Sequence, residues 1–209
     1  MKKSSAPQRP NLPRSFDPLN VDAPDDFAEF SAGKLAGADW VAAAARNVVV
    51  EECLLERVVL TSAKLPKLRM RDARMAGCDA SAAMLEESRL LRVEVRSSRL
   101  IGVQAFSAEL SDVLFRDCNL EGAVFAAVQG KHIRFENCQL QNATFEGATL
   151  EGIRFSGCDL RNADFRNVML TDADLRGSNI DGMQIAPEAV KGMTITSSQA
   201  LQMVGLLGV

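Results

Sequence analysis

Apolar side chains recur at every fifth residue through most of this chain. From Leu35 to Ile185, all but one of the 31 positions at this spacing are apolar, the exception being Gly130. Residues five apart on an α-helix differ by about 140°, so this period would spread apolar side chains around the whole helix. A plain β-strand has a period of two. Each five-residue unit is therefore predicted to hold a short extended segment followed by a corner.

Glycine marks the predicted corners. Nine of the 14 glycines lie two residues after the central apolar residue of a unit. They are Gly37, Gly77, Gly102, Gly122, Gly147, Gly152, Gly157, Gly177 and Gly182. Because glycine adopts a positive φ without steric cost, it suits the tight turn that each corner needs.

Phenylalanine indicates how many units close one coil. Phe115, Phe125, Phe135, Phe145, Phe155 and Phe165 alternate with leucines, so phenylalanine recurs at every second unit. Two opposite sides of a coil would then carry Phe and the other two Leu, which requires four units per coil. Phe115, Phe135 and Phe155 are predicted to stack in one column, with about 4.8 Å between coils.

The clearest units carry Asp or Asn before the central apolar residue, as in residues 158–162, 163–167 and 173–177. These units resemble the pentapeptide-repeat family, whose consensus is A(D/N)LXX, over about three quarters of the chain. Residues 43–113 depart from the consensus at the Asp/Asn position but keep both inward positions. The resemblance implies an all-β fold, a right-handed quadrilateral parallel β-helix of about eight coils.

Both ends of such a solenoid need covers, because an open coil exposes unpaired strand edges. Residues 1–24 hold five of the seven prolines and are interpreted as a flexible tail or a strap. Residues 25–34 are predicted to cap the first coil through a helical turn bearing Phe27 and Phe30. Residues 35–185 form the repeat region, and residues 186–209 a C-terminal cap.

A short C-terminal helix is predicted from Ser197 onward, with Ser197 or Ser198 as its N-cap. Its apolar face would carry Ala200, Leu201, Val204 and Leu207. Two interpretations stay open. The face could cover the last coil, or it could form a homodimer contact, since some members of the family that this chain resembles pair through their C-terminal ends.

No side-chain pattern indicates catalysis, a metal site or a cofactor. All five cysteines (Cys53, Cys78, Cys118, Cys138 and Cys158) fall at an inward position, without the close spacing of zinc ligands. Together with the phenylalanines, Cys118, Cys138 and Cys158 are predicted to be structural core. His132 is the one histidine and is interpreted as an exposed turn residue. We expect a protein that is not an enzyme.

The charge balance bears on partners and location. The net charge is −3, with 24 basic and 27 acidic residues, which argues against direct nucleic-acid binding. No apolar run reaches the roughly 18 residues of a membrane span, and the basic N-terminus lacks the apolar stretch of a secretory signal. We therefore expect a cytoplasmic protein without a membrane partner.

Sorting outward residues by their place in the four-unit coil gathers arginines on one face. Arg74, Arg96, Arg116, Arg134, Arg154 and Arg176 form the candidate interaction surface, with Lys34 and Arg57. Glu56, Glu94, Asp117, Glu136 and Asp174 are interspersed. The row either steers an anionic partner or is a solvated face that keeps the rod soluble. A neighbouring face is mildly acidic, although Arg99 and Arg161 interrupt it.

Two functions follow. A rigid rod with regular faces suits a non-catalytic scaffold or binding module for a protein partner that the sequence does not identify. The resemblance implies an alternative, a DNA-mimicking protein that binds topoisomerase (gyrase) and protects it from quinolones or toxins. That role needs a dominantly negative surface, from which the arginine row departs.

Overall fold

A computed structural model describes residues 6–206, without the side chain of Leu206. The chain forms a parallel β-solenoid of about eight turns with one short C-terminal helix. The strands are β1 (Asp17–Pro18), β2 (Glu29–Ser31), β3 (Gly33–Ala36), β4 (Val49–Glu51), β5 (Leu54–Glu56), β6 (Arg69–Ala76), β7 (Arg89–Arg96), β8 (Glu109–Arg116), β9 (Gln129–Lys131), β10 (Arg134–Glu136), β11 (Thr149–Glu151), β12 (Arg154–Ser156), β13 (Asp164–Phe165), β14 (Met169–Thr171) and β15 (Gln184–Ile185). A 3-10 helix (Pro187–Val190) and helix α1 (Ser197–Leu206) follow.

Neighbouring coils pair in register, so that each residue lies beside the residue four units further along the chain. In β10, Phe135 lies beside Phe115 of β8 on one side and beside Phe155 of β12 on the other. On another side of the rod, isolated parallel bridges connect Asp39 to Asn179 through every twentieth residue. The predicted coil of four units is therefore confirmed.

The aromatic core confirms the predicted columns. The ring centroids of Phe115 and Phe135 are 4.9 Å apart, and those of Phe135 and Phe155 are 5.1 Å apart, with rings tilted by only 6°. In the opposite column Phe145 stacks on Phe165 at 4.6 Å. The two columns meet edge to face, as Phe135 does with Phe145 at 6.1 Å. Such pairs add stability beyond the area that they bury.

Every corner has left-handed backbone. Each fifth residue from Phe27 to Gly182 has a positive φ, including all nine glycines predicted for corners, and Gly192 continues the same phase. Residues other than glycine occupy 23 of these corners. Each of them carries a steric cost of roughly 1–2 kcal/mol relative to right-handed backbone, which the stacked core and the hydrogen bonds between coils offset.

Gly130 interrupts the apolar period because neighbouring side chains fill its place. A Cβ atom on Gly130 would lie 2.6 Å from Ile133 Cδ1 and 2.6 Å from Leu150 Cδ2. The core is thus continuous across the one position where the sequence pattern fails.

The five cysteines are buried with free thiols. Cys138 donates a hydrogen bond from Sγ to the carbonyl of Phe115, and Cys158 does the same to Phe135. Burial raises the pKa of the Cys78 thiol, and contacts with Cys118 and Cys158 raise the pKa of Cys138. Cys78 and Cys138 are therefore held in their neutral form, and all five cysteines pack as core side chains.

The N-terminal end differs from the predicted helical turn. Residues 25–30 form a turn and the start of β2. Phe30 is buried against Trp40, with ring centroids 5.5 Å apart, but Phe27 is 61% exposed. The prediction for Phe27 was wrong because this residue takes a positive-φ corner position, where side chains point outward.

Residues 6–24, here called the strap, lie against the rod. Strand β1 pairs with β3, and Leu19 packs where a side chain on Gly33 would otherwise lie. The indole nitrogen of Trp40 donates to the carbonyl of Asp22 at 3.0 Å. Of the two interpretations, these contacts favour a strap over a mobile tail.

The C-terminal helix is present, but its cap and its inward face differ from the prediction. Thr196 is the N-cap, because its hydroxyl accepts from the Gln199 amide while Gln199 Oε1 accepts from the Thr196 amide. Gln199 and Met203 face the rod. The predicted apolar face points outward instead: Ala200 is exposed, Leu201 is 77% exposed and Val204 is 47% exposed. Leu207 lies outside the described residues.

Within residues 6–206, no helix is both long enough and apolar enough to cross a membrane.

Candidate protein-interaction face

The outward residues of one side of the solenoid define the arginine face. It is built from β3, β5, the second halves of β6, β7 and β8, then β10, β12 and residues 174–176. Arg74, Arg96, Arg116, Arg134, Arg154 and Arg176 all project from it, at least partly exposed. Arg57 and Asp117 sit at the adjoining positive-φ corner rather than on the face.

Three carboxylates on this face are each shared by two arginines. Arg74 Nε lies 2.9 Å and Arg96 Nη2 lies 2.8 Å from Glu94 Oε2, and the Glu94 side chain is only 4% exposed. We call this trio of residues the first triad. The sharing arises because Arg74 stands one coil below Glu94, whereas Arg96 is two residues along the same strand.

The second triad consists of Arg116, Arg134 and Glu136. Arg116 Nε donates to Glu136 Oε2 at 2.7 Å, and Arg134 Nη1 lies 3.9 Å from Glu136 Oε1. The hydrogen bond to Glu136 raises the pKa of Arg116, so the guanidinium stays charged at every physiological pH.

The third triad consists of Arg154, Arg176 and Asp174. Arg154 Nη1 and Arg176 Nη2 lie 2.9 Å and 2.7 Å from Asp174 Oδ2. Hydrogen bonds from Arg176 hold the pKa of Asp174 below its ordinary value. Each triad thus carries a net charge of +1, whereas the remaining ion pair of the face, between Lys34 and Glu56, is neutral.

The triads are evenly spaced. Their carboxylates belong to the coils of residues 94, 136 and 174, so successive triads are two coils, or roughly 9.6 Å, apart. Between them lie two depressions. The first cavity is lined by Arg96, Leu114, Arg116 and Arg134, with strap residues 6–9 as one wall. The second cavity is lined by Arg134, Arg154, Ser156 and Arg176.

The strap docks on the corner beside this face. The amide of Gln8 donates to Asp112 Oδ1 at 3.0 Å, and the amide of Asn11 donates to Asp72 Oδ1 at 2.9 Å. Arg92, one coil from each aspartate, forms two hydrogen bonds to Asp72 and holds the pKa of that carboxyl low. The sequence shows that Asp72 and Asp112 occupy the same corner, two coils apart, but nothing in it marks the strap amides as their donors.

His132 occupies the same corner, with its Nδ1 atom 3.3 Å from Asp112 Oδ1 and its side chain 25% exposed. Its position in the solenoid is the predicted turn, although the ring is less exposed than expected. Over the part of the chain that the structure describes, no group of three His, Cys, Asp or Glu side chains is placed to hold a metal ion.

The acidic face carries Asp39, Asp79, Glu121, Asp159 and Asp181. Both of its arginines pair with these acids: Arg99 Nε is 3.6 Å from Asp79, and Arg161 Nη2 is 2.6 Å from Asp159. The hydrogen bonds from Arg161 lower the pKa of Asp159. Negative charge on this face is therefore interrupted rather than continuous.

Comparisons with known proteins agree with the architecture. Two family models match the sequence, one described as pentapeptide repeats in eight copies over residues 53–90, the other as a pentapeptide repeat region over residues 108–185. No curated protein matches the sequence.

Several solved structures are similar at low identity. HetL, a pentapeptide repeat protein involved in heterocyst differentiation regulation in the cyanobacterium Nostoc sp. strain PCC 7120, is 16% identical, with a TM-score of 0.47 over 83% of this chain and 89% of its own. Full-length QnrB1, a plasmid-mediated fluoroquinolone resistance protein, is 20% identical, with a TM-score of 0.39 over 86% of this chain and 97% of its own. A pentapeptide repeat protein from the Arabidopsis thaliana thylakoid lumen is 22% identical, with a TM-score of 0.25 over 56% and 65%.

Proposed function

Because this chain belongs to the pentapeptide-repeat family, we propose that it is a non-catalytic scaffold that binds a protein partner through its arginine face. The observation that carries the proposal is the row of three Arg–acid–Arg triads. Each triad holds its guanidinium groups in fixed positions and leaves one positive charge to attract an acidic partner.

The solenoid supports this role by making the face rigid. All triad residues except Arg176 project from a strand or bridge that is hydrogen-bonded to its neighbours. Arg116, Arg134 and Arg154 are next in sequence to the stacked rings of Phe115, Phe135 and Phe155. Since the arginine side chains are already held by their shared carboxylates, little rotamer entropy remains to be lost when a partner binds. Preorganisation of this kind favours a binding surface over a merely solvated one.

The test is affinity capture from a lysate of the source organism. The bait variant carries Arg74→Gln, Arg116→Gln and Arg154→Gln, one arginine from each triad. The matched control carries Arg69→Gln, Arg71→Gln and Arg89→Gln on the neighbouring side, with the same change in charge. We expect proteins that the wild type and the control retain and the triad variant loses. Equal recovery by all three baits would refute the proposal.

The alternative of topoisomerase protection finds less support in the surface. Such mimicry of DNA needs a continuous negative stripe, whereas Arg99 and Arg161 interrupt the acidic face by pairing with its carboxylates. In a gyrase supercoiling assay with a quinolone, we expect no protection when the protein is added. Restored supercoiling would favour the alternative over the scaffold.

The exposed face of α1 favours a second copy of the chain as a further partner. Leu201 and Val204 leave large apolar areas in water on a helix whose opposite side already covers the last coil. We propose a homodimer through this face. Sedimentation equilibrium should show a dimer that Leu201→Asp dissociates and Gln202→Asp, on an exposed polar position, does not. A monomeric wild type would exclude the contact.

A further inference from the structure

The proline spacing and the contacts of the strap indicate which backbone conformation would fit along this rod. Pro7, Pro10 and Pro13 recur at every third residue, a pattern that favours the polyproline II helix with three residues per turn. The Gln8 and Asn11 amides, also three residues apart, donate to Asp112 and Asp72, which are two coils apart. Three residues of the strap therefore span two coils of the solenoid.

The agreement follows from two regular spacings. Three residues of polyproline II advance by roughly 9.3 Å, and two coils of the solenoid by roughly 9.6 Å. An extended strand would bring side chains to the same side at intervals of roughly 6.6 Å, which match neither one coil nor two. A polyproline II segment parallel to the rod axis can thus repeat the same contact at every second coil.

The arginine face offers its two cavities at this interval. The first cavity lies at the coil of Leu114 and the second at the coil of Arg154, two coils further on. Each cavity is lined by three arginines of the face and by two of the triad carboxylates, so each retains a net positive charge.

Two arginines that line the first cavity each keep one donor that no acceptor satisfies. Arg96 Nε and Arg134 Nε, both on residues that line it, are shielded from solvent and have no hydrogen-bond partner among the described residues. A buried donor without an acceptor is unfavourable because it has lost its hydrogen bond to water. A carboxylate in the cavity would form strong charge-assisted hydrogen bonds with the partly exposed guanidinium groups of Arg96 and Arg134.

We propose that the arginine face binds an acidic partner segment in the polyproline II conformation, with carboxylates at positions i and i+3 entering the first and second cavities. The inference rests on the proposed function and adds the chemistry and the spacing of the partner. The segment lies beside the strap and runs parallel to the rod axis.

The test is fluorescence anisotropy with two labelled peptides of identical composition, in which two glutamates in a proline host stand either three or two residues apart. We expect the wild type to bind the peptide with three-residue spacing at least tenfold more tightly. Arg96→Gln with Arg134→Gln should abolish the difference. The matched control is Arg71→Gln with Arg89→Gln. These arginines pair with Glu51 and Glu109, each on a neighbouring coil, so the control should keep the difference in affinity between the two peptides.

The wild-type comparison needs no variant, so it decides the inference even if a variant folds poorly. Equal affinity for the two peptides would overturn the polyproline II register. It would not decide the scaffold proposal, which the affinity capture tests separately. Absence of binding by either peptide would overturn the inference in the same way. Binding that prefers three-residue spacing and survives in the Arg96 and Arg134 variant would refute the assignment to these cavities.

Discussion

At the scale of single residues, the corner position decides how the chain can turn. Every corner from Phe27 to Gly182 has a positive φ, yet only a minority of these corner residues are glycine. Asparagine and aspartate occupy several others, because their short polar side chains tolerate left-handed backbone better than alanine or arginine do. The residue at a corner is therefore a source of strain that substitution can raise or relieve.

Exchanging glycine and alanine at corners tests this strain. Gly122 has φ +62° and open space around the site of a Cβ atom, so Gly122→Ala adds backbone strain alone and should destabilise the fold by about 1 kcal/mol. Ala82 is exposed with φ +54°, and Ala82→Gly should stabilise by a similar amount. Urea unfolding measures both; effects of the same sign would contradict the assignment.

Truncating a ring in the centre of an aromatic column tests the core. Phe135 is 1% exposed and stacks on two rings, so Phe135→Ala should cost about 3–5 kcal/mol. Phe106→Ala provides the control, because Phe106 is 51% exposed and its loss should change stability by less than about 0.5 kcal/mol. A mild effect at Phe135 would show that the column does not bear the core packing.

At the scale of elements, the strap and α1 close the two ends of the solenoid by different means. Strand β1 adds one short pair to the first coil. At the other end Gln199 donates from Nε2 to the carbonyls of Leu175 and Ser178, while its Oε1 accepts from the Thr196 amide. Both devices supply hydrogen bonds to backbone groups at the ends of the solenoid.

Removing the Gln199 amide should loosen the C-terminal cap. Gln199→Ala removes both hydrogen bonds and leaves the Ser178 carbonyl without its partner, whereas the Leu175 carbonyl still accepts from the Ser178 amide. The change should cost about 1–3 kcal/mol, visible as faster amide exchange in α1. Gln202→Ala, at an exposed position of the same helix, should leave exchange unchanged. Equal exchange in both variants would mean that the helix is held by other contacts.

Asp72 should control release of the strap. Asp72→Asn removes the carboxylate that accepts from the Asn11 amide, and limited proteolysis should then cleave residues 6–13 faster, whereas Asp172→Asn, further along the same corner, should not. Because Arg92 depresses the folded-state pKa of Asp72, the contact should persist above the ordinary aspartate pKa of about 3.9. The Asn11–Asp72 contact should be lost only as the pH falls through the lowered pKa of Asp72. Release of the wild-type strap between pH 5 and 7 would contradict this assignment.

The repeat region could be predicted from the sequence because its strand pairing and its core contacts recur at one period. The columns of Phe115 and Phe125 follow from spacing alone. The ends could not, because they depend on single contacts between distant segments. Nothing local marks Asp72 as the acceptor for Asn11. Phe27 occupies a corner two units before Gly37, the first corner of the apolar run. The N-cap was predicted at Ser197 or Ser198, although Thr196 and Gln199 have the T-x-x-Q spacing of a capping box.

The arginine face could be predicted from the sequence only in part. Its membership follows from the four-unit coil, since each of its six arginines projects from the same side. Its pairing does not, because sharing of Glu94 by Arg74 and Arg96 requires knowing that the two arginines approach one carboxylate from different coils. Sequence position alone also leaves open whether each arginine is free or paired.

At the scale of the whole molecule, the protein is a rod whose length is set by the number of coils and whose surface repeats with them. Charges that recur at every second coil stand at a constant distance along the rod, so a linear partner meets the same chemistry at regular intervals. Binding should therefore depend on the spacing of charges in the partner as much as on their number.

The spacing between coils can be measured by pulsed electron paramagnetic resonance, which gives the distance between two nitroxide labels. Asp39, Arg99 and Asn179 belong to one column of bridges whose side chains point outward, and the buried native thiols should take up little label in the unsubstituted protein. With roughly 4.8 Å per coil, cysteines at positions 99 and 179 should place the label attachment points roughly 19 Å apart, and cysteines at positions 39 and 179 roughly 34 Å apart. Distances that do not grow in proportion to the number of coils between the labels would contradict the stacked solenoid on which the interaction face depends.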